Sequence, residues 1–269
     1  MIIRSRNFTV RAIASTILGL AALTFSPVSF SQGGLFSDWA GSVSLGANRS
    51  TGNSESTNVN GSIRLAKTAG RWEHQLFGAV FKGESTIVVM EEGPGGEPIS
   101  SIDRGDNSDR LSLGYQPKFL FSDSTYVFGI LDYEEDEPAN IENSTRQVVG
   151  IGHKFFSTER NSLSAEFGIG NRILNVVTGD DIDGGIGYLG VNYLARFTET
   201  TLFNADFRSD LGSDNTFTEL SLGLAFKIST RFSFKISHFI RSNSDLLSTE
   251  NPLATSTDAV STFSLEFAI

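Results

Sequence analysis

From Asn215 to Arg241 the chain reads N-T-F-T-E-L-S-L-G-L-A-F-K-I-S-T-R-F-S-F-K-I-S-H-F-I-R, and along it every second side chain is apolar. Thr218, Leu220, Leu222, Leu224, Phe226 and Ile228 alternate with Glu219, Ser221, Gly223, Ala225 and Lys227. After Ser229 and Thr230 the pattern resumes as Phe232, Phe234, Ile236, His238 and Ile240 against Ser233, Lys235, Ser237 and Phe239. Successive side chains leave a pleated strand on opposite faces, so a period of two is a strand period. Each half runs for about a dozen residues, whereas globular strands average about 5 or 6 and a tilted bilayer-crossing strand needs about 9 to 11. The stretch predicts one hairpin of a transmembrane barrel.

The N-terminus sets the compartment. Arg4, Arg6 and Arg11 precede an apolar run from Ala12 to Phe25, and Ser29 and Ser31 supply small side chains where a signal peptidase reads. Residues 1–31 are therefore expected to be a cleaved secretory leader and residues 32–269 one barrel domain. The run is too short for the roughly 20 apolar residues of a spanning helix, which makes a single-pass anchor the weaker alternative. Removing the three arginines takes the formal charge from -10 to -13. An acidic chain without a basic run is not a nucleic-acid binder. With no cysteine, disulfides, thiol catalysis and thiolate metal sites are excluded. The 22 Phe and 27 Gly against 6 Pro suit a single large all-β domain.

Asp38 to Ser50 alternates as Trp39, Gly41, Val43, Leu45 and Ala47 against Ala40, Ser42, Ser44, Gly46 and Asn48. After Thr51-Gly52-Asn53-Ser54 the chain returns through Thr57, Val59, Gly61, Ile63 and Leu65, with Asn58, Asn60, Ser62 and Arg64 on the other face, and then reaches Arg71-Trp72. Trp39, the Gly41 and Gly46 spacing, that turn and the Ser/Asn-rich return strand resemble the domain-of-unknown-function family 481, described as salt-induced outer-membrane proteins of Gram-negative bacteria. The likeness is sharpest over residues 38 to 82. It implies an envelope location and a barrel, and no reaction or site.

Further strands are expected at Arg71 to Glu84, around Leu111 to Phe119, and at Thr125 to Tyr133, Thr145 to Phe156, Asn161 to Leu174, Gly185 to Phe197, Thr201 to Leu211 and Asp258 to Ile269. In Arg71 to Glu84 the phase is ambiguous, with Trp72, Leu76 and Val80 on one face and Phe77, Ala79 and Phe81 on the other, so a face-switching bulge is expected. Pro117 belongs at a bulge or near a strand end, since it has no N–H for the ladder. Ser85 to Asn107, with Glu91, Glu92, Glu97, Asp103 and Asp106, reads as a long acidic loop; Glu134 to Pro138 opens another, and Asn175 to Asp183 a third. The total is twelve strands. Short connections after Lys67, Leu120, Phe156, Phe197 and Ile228 alternate with longer, more acidic ones, which is the plan of a bacterial outer-membrane barrel. Trp72, Phe119, Phe121, Tyr126, Phe155, Phe156, Phe197, Phe203, Phe226 and Phe232 lie beside the short turns as an aromatic girdle. Such a barrel has outer-membrane lipid and lipopolysaccharide around it and the outer-membrane assembly machinery as a partner during biogenesis. The chain departs from that machinery's usual terminal aromatic residue: it ends in Ile269, with Phe267 two residues earlier.

With the apolar face toward lipid, the other face lines the lumen. The strand phases put Arg64, Arg110, Lys118, Arg172, Arg196, Arg208, Lys227, Lys235 and Arg241 there, with Glu166, Asp206, Glu219 and Glu266. Two arrangements are open to these charges. They pair across strands and fill a narrow interior, because unpaired charges out of water are costly, or some stay unpaired around a watery path that favours small anionic solutes.

Little else suggests chemistry, and no cofactor is expected. His74, His153 and His238 lie in separate strands, and none begins a metal-ligand spacing. A surface enzyme of lipid or polysaccharide chemistry is the alternative to a non-enzymatic barrel, but only scattered serines such as Ser237 lie near His238, and a hydroxyl without a paired base is inert. Gly185-Ile186-Gly187-Tyr188-Leu189-Gly190 matches a dinucleotide fingerprint in letters only, since it opens no helix; its glycines are expected to let the wall curve. Gly179 to Gly184 has glycines where a calcium loop needs ligands.

Overall fold

The alternating stretches form strands because each gives one continuous apolar face and a backbone with no breaker inside it. The computed structural model describes residues 38–50, 55–92, 98–213, 215–244 and 257–269. The leader over 1–31, the turn at 51–54 and most of 242–257 lie outside them. Among the described residues there are twelve strands: β1 (Ala40–Ser50), β2 (Glu55–Ala69), β3 (Trp72–Glu92), β4 (Pro98–Leu120), β5 (Thr125–Asp136), β6 (Ile141–Ser157), β7 (Asn161–Val176), β8 (Ile182–Arg196), β9 (Thr201–Gly212), β10 (Thr216–Lys227), β11 (Phe232–Asn243) and β12 (Thr257–Ala268). Each pairs antiparallel with its chain neighbours, and β12 returns to β1 through Ser42↔Ala268 to Gly46↔Ser264. The sheet is a closed all-β transmembrane barrel with no free edge, the arrangement that lets every strand satisfy its neighbours' backbone groups in hydrocarbon.

The β10–β11 hairpin has the expected register, Leu222 opposite His238 and Glu219 opposite Arg241. Its turn is closed by the Ile228 N–H on the Phe232 carbonyl at 2.9 Å, with Ser229 Oγ accepting from the Phe232 N–H. Between β2 and β3 the chain reverses through Gly70, whose φ of +62° suits a residue without Cβ. Outward side chains are those of a lipid-facing wall: Val149, Ile151, Phe167 and Ile169 are 60 to 73% exposed.

Three expectations are corrected. The segment 85–107 is not a loop, because β3 continues to Glu92 and β4 begins at Pro98; at about 3.4 Å per residue a 21-residue strand far exceeds the apolar band of about 25 Å, so this hairpin projects beyond it. The register shift in β3 falls at Gly83/Glu84, and no face switch occurs between residues 72 and 81. Both faces there are simply apolar: Trp72 and Val80 are exposed outward, and Phe77 pairs with Arg64 and Gly114 on the inward parity. Finally, Glu134 to Asp136 belong to β5, and the chain turns instead through the short 3-10 segment Glu137–Ala139 and Asn140 at φ 61°. Pro117 lies three residues from the end of β4, where the β4–β5 ladder skips Gln116 and Pro117.

The barrel interior as candidate functional site

One wall of the lumen is bulky. Tyr126, Phe128 and Ile130 of β5, Val148 of β6, and Ile186 and Tyr188 of β8 form a buried inward cluster. It fits because its neighbours are glycines: a Cβ on Gly152 would meet the Tyr126 ring, and one on Gly190 the Tyr188 hydroxyl. These glycines therefore clear space for the rings. Glu166 of β7 is 1% exposed beneath this cluster. Its carboxylate accepts from Lys118 Nζ at 2.7 Å, Tyr126 OH at 2.9 Å, Gln116 Nε2 at 3.0 Å and Tyr188 OH at 3.4 Å. Lys154 reaches Glu73 at 3.0 Å on the same side.

Nearer the long-loop ends of the strands lies a lattice of five arginines and five acids. Arg146 binds Asp132 at 2.5 Å and Asp210 at 2.7 Å. Arg208 is 3.3 Å from Glu219 and 3.8 Å from Asp132, and Arg172 is 4.0 Å from Asp210. Arg241 meets Glu134 at 2.5 Å, Glu219 at 3.5 Å and Asp136 at 3.6 Å, while Arg110 meets Glu134 at 3.4 Å and Glu219 at 3.6 Å. Phe217, 2% exposed, is its hub, with the guanidinium carbons of Arg172, Arg208 and Arg241 4.8, 5.0 and 5.1 Å from its ring centre. Two of these contacts define the interior. In a twelve-strand ring β5 and β11 are diametrically opposite, as are β4 and β10, yet Glu134 touches Arg241 and Arg110 approaches Glu219. Side chains therefore span the lumen at this level.

The wall of β12, β1 and β2 is small by contrast. Ser42, Ser44, Ser62 and Ser264 share the inward parity, and Ser44 Oγ lies 2.7 Å from Ser62 Oγ. Against it lies a cavity of about 220 Å³ whose lining includes Arg64, Ser112, Ser221, Lys235 and Glu266.

The sequence-selected residues distribute plainly. Arg110, Arg172, Arg208, Glu219 and Arg241 meet in the lattice, and Lys118 meets Glu166. Lys235 lies 3.8 Å from Glu266, Asp206 accepts from Asn204 Nδ2 at 3.0 Å, and Arg64 lines the cavity. Arg196 and Lys227 share the inward parity but are exposed at the short-turn ends of β8 and β10. Glu73, Asp132, Glu134, Asp136, Arg146, Lys154 and Asp210 also face inward and were not among those expected. For Arg146 and Lys154 the signal was present, since they alternate with Val149, Ile151 and Phe155. Tyr126 is no girdle residue: it points inward at 1% exposure.

The histidines follow one rule. His74 Nδ1 lies 2.8 Å from Tyr115 OH, His153 Nδ1 3.1 Å from Thr125 Oγ1, and His238 Nδ1 2.8 Å from Ser261 Oγ, each across a strand pair on the outward parity. Ser237, in contrast, is turned inward and buried. Three equivalent pairs read as satisfaction of a ring nitrogen at a wall that offers little water. In the former calcium-loop candidate, Asp181 accepts the Val176 N–H and Asp183 accepts from Asn171.

The profile of the family described as "Protein of unknown function, DUF481" matches residues 43–269. No curated protein matches the chain. Solved structures similar to it include the NanC porin, at 9% identity with a TM-score of 0.45 over 85% of this chain and 98% of that one. The KdgM porin in complex with disordered oligogalacturonate is similar at 6% identity and 0.42 over 84% and 97%. The translocator domain of the autotransporter NalP from Neisseria meningitidis is similar at 11% identity and 0.41 over 96% of each chain. The chain belongs to the DUF481 family.

Proposed function

We propose that this DUF481 member is a non-enzymatic outer-membrane barrel, exported by its leader, that acts as a narrow channel for small solutes and is held shut at rest by the arginine–acid lattice. Lipid and lipopolysaccharide surround its apolar wall, and the outer-membrane assembly machinery inserts it. The observation that carries the reading is the pair of cross-lumen contacts, Glu134 to Arg241 and Arg110 to Glu219, with an open cavity beside them. A lumen closed by ion pairs responds to its ionic surroundings. The lattice side chains of Arg110, Arg208, Glu219 and Arg241 keep 13 to 23% exposure, so ions reach them, and screening shortens from about 10 Å at 0.1 M salt to about 3 Å at 1 M. Rising salt therefore loosens the closure.

Planar-bilayer recording of the purified barrel tests this. Wild type is expected to be mostly closed at about 0.1 M salt and to show stepwise openings at about 1 M, and Arg241→Ala with Phe217→Ala is expected to open it at low salt. Equal step frequency at both salt levels in wild type and variant refutes closure by the lattice. Silence in every case refutes the channel and leaves a sealed structural barrel.

A further inference from the structure

Resting on the channel reading, but testable without any current, we infer that the cavity beside the lattice binds a small oxyanion at Arg64. Six cations line it, Arg64, Arg110, Arg146, Arg172, Arg208 and Lys235, against five acids, Asp132, Glu134, Asp210, Glu219 and Glu266. Every one of those acids is within ion-pair distance of another cation: Asp132 of Arg146 and Arg208, Glu134 of Arg110 and Arg241, Asp210 of Arg146 and Arg172, Glu219 of Arg110, Arg208 and Arg241, and Glu266 of Lys235. Among the described residues Arg64 is in no ion pair, and its side chain is exposed. Asp206, the remaining acid of the region, is engaged by Asn204 and does not line the cavity. The charge left over in the chamber is thus positive and belongs to one guanidinium.

The surroundings suit an oxyanion. Ser42 is directly opposite Arg64 in the β1–β2 register, and Ser62 lies two residues along the same strand face, so hydroxyl donors flank the guanidinium. Because this wall carries serines where the opposite wall carries rings, Arg64 has room to present its planar fork of donors, which matches two oxygens of phosphate, sulfate or a carboxylate. A volume of about 220 Å³ far exceeds the roughly 10–15 Å³ that a single water requires, enough for such an ion with part of its hydration shell.

The test is calorimetric titration of inorganic phosphate into the mature barrel folded in detergent, with folding verified by heat-modifiable gel mobility. Wild type is expected to bind about one phosphate per chain, Arg64→Ala to bind it about tenfold or more weakly, and Arg64→Lys to fall between, since it keeps the charge and loses the fork. Phosphate heats no larger than those of buffer, or equal affinity in wild type and Arg64→Ala, overturn the site. Loss of the site with salt-dependent currents intact sinks this inference alone; phosphate binding in a barrel that never conducts sinks the channel and leaves the site standing.

Discussion

Replacing Glu166 by Gln isolates the energetics of the interior. The substitution keeps the shape and one carbonyl acceptor but removes the charge facing Lys118, whose Nζ lies 2.7 Å away and which is itself only 8% exposed. Removing one partner of a buried pair strands the other charge, at a cost of about 3–5 kcal/mol. The upper part of that range is trimmed here, because the Lys118 ammonium also lies 4.9 Å from the centre of the Tyr126 ring, which offers it partial compensation. A loss of about 3 kcal/mol is therefore expected for Glu166→Gln. Adding Lys118→Met then removes the stranded charge. What remains is weakened bonding of the Tyr126 and Tyr188 hydroxyls and of Gln116, about 1–2 kcal/mol together, so the double variant is expected to be the more stable of the two. Urea unfolding from lipid vesicles, followed by the fluorescence of the two tryptophans, measures this directly, Trp72 being 46% exposed on the lipid-facing wall. A double variant no more stable than Glu166→Gln, or a single substitution costing under about 1 kcal/mol, refutes the view that Glu166 and Lys118 form a dry, mutually dependent pair.

Gly152→Ala places a methyl group against the Tyr126 ring; it is expected to cost about 1–3 kcal/mol by overpacking and to lower the thermal midpoint, with Gly152→Val worse. Ile169→Arg, on a position 73% exposed to the outward side, is expected to cost about 2–4 kcal/mol in a bilayer, whereas Ile169→Val stays below about 1.5 kcal/mol; equal effects of the two in vesicle unfolding would mean that this face does not meet hydrocarbon.

Where a strand has one apolar and one polar face, as in β10 and β11, residue order alone gave parity, register and length. The reading failed where that contrast vanishes. In β5 both faces are apolar, since Tyr126, Phe128 and Ile130 turn inward while Val127 and Leu131 turn outward, so Tyr126 was assigned by its nearness to a turn. In 85–107 the run Ile87 to Met90 has no alternation and is followed by acids and the Gly93-Pro94-Gly95-Gly96 breaker, and a ladder that extends past the hydrocarbon needs no apolar face to hold it. Acids at a strand end, as Glu134 and Asp136 are, have the composition of a solvated turn. Only their arginine partners, as many as 107 residues away for Arg241, draw them inside. Arg64 was legible as an inward side chain, but its lack of an ion pair among the described residues depends on side-chain reach across the lumen, which periodicity does not encode.

The two contacts that bridge opposite staves of the barrel bear on the order of its assembly. Glu134 and Arg110, on adjacent early strands, already meet each other, but each gains its cross-lumen partner, Arg241 and Glu219, only when the β10–β11 hairpin arrives. Before that moment nothing ties these two staves to the far side of the cylinder; afterwards the same groups pull it inward. Curling shut is thus coupled to a late chemical match between distant segments, and a chain lacking its last two strands would have a hydrated trough where the finished protein has a cross-braced tube.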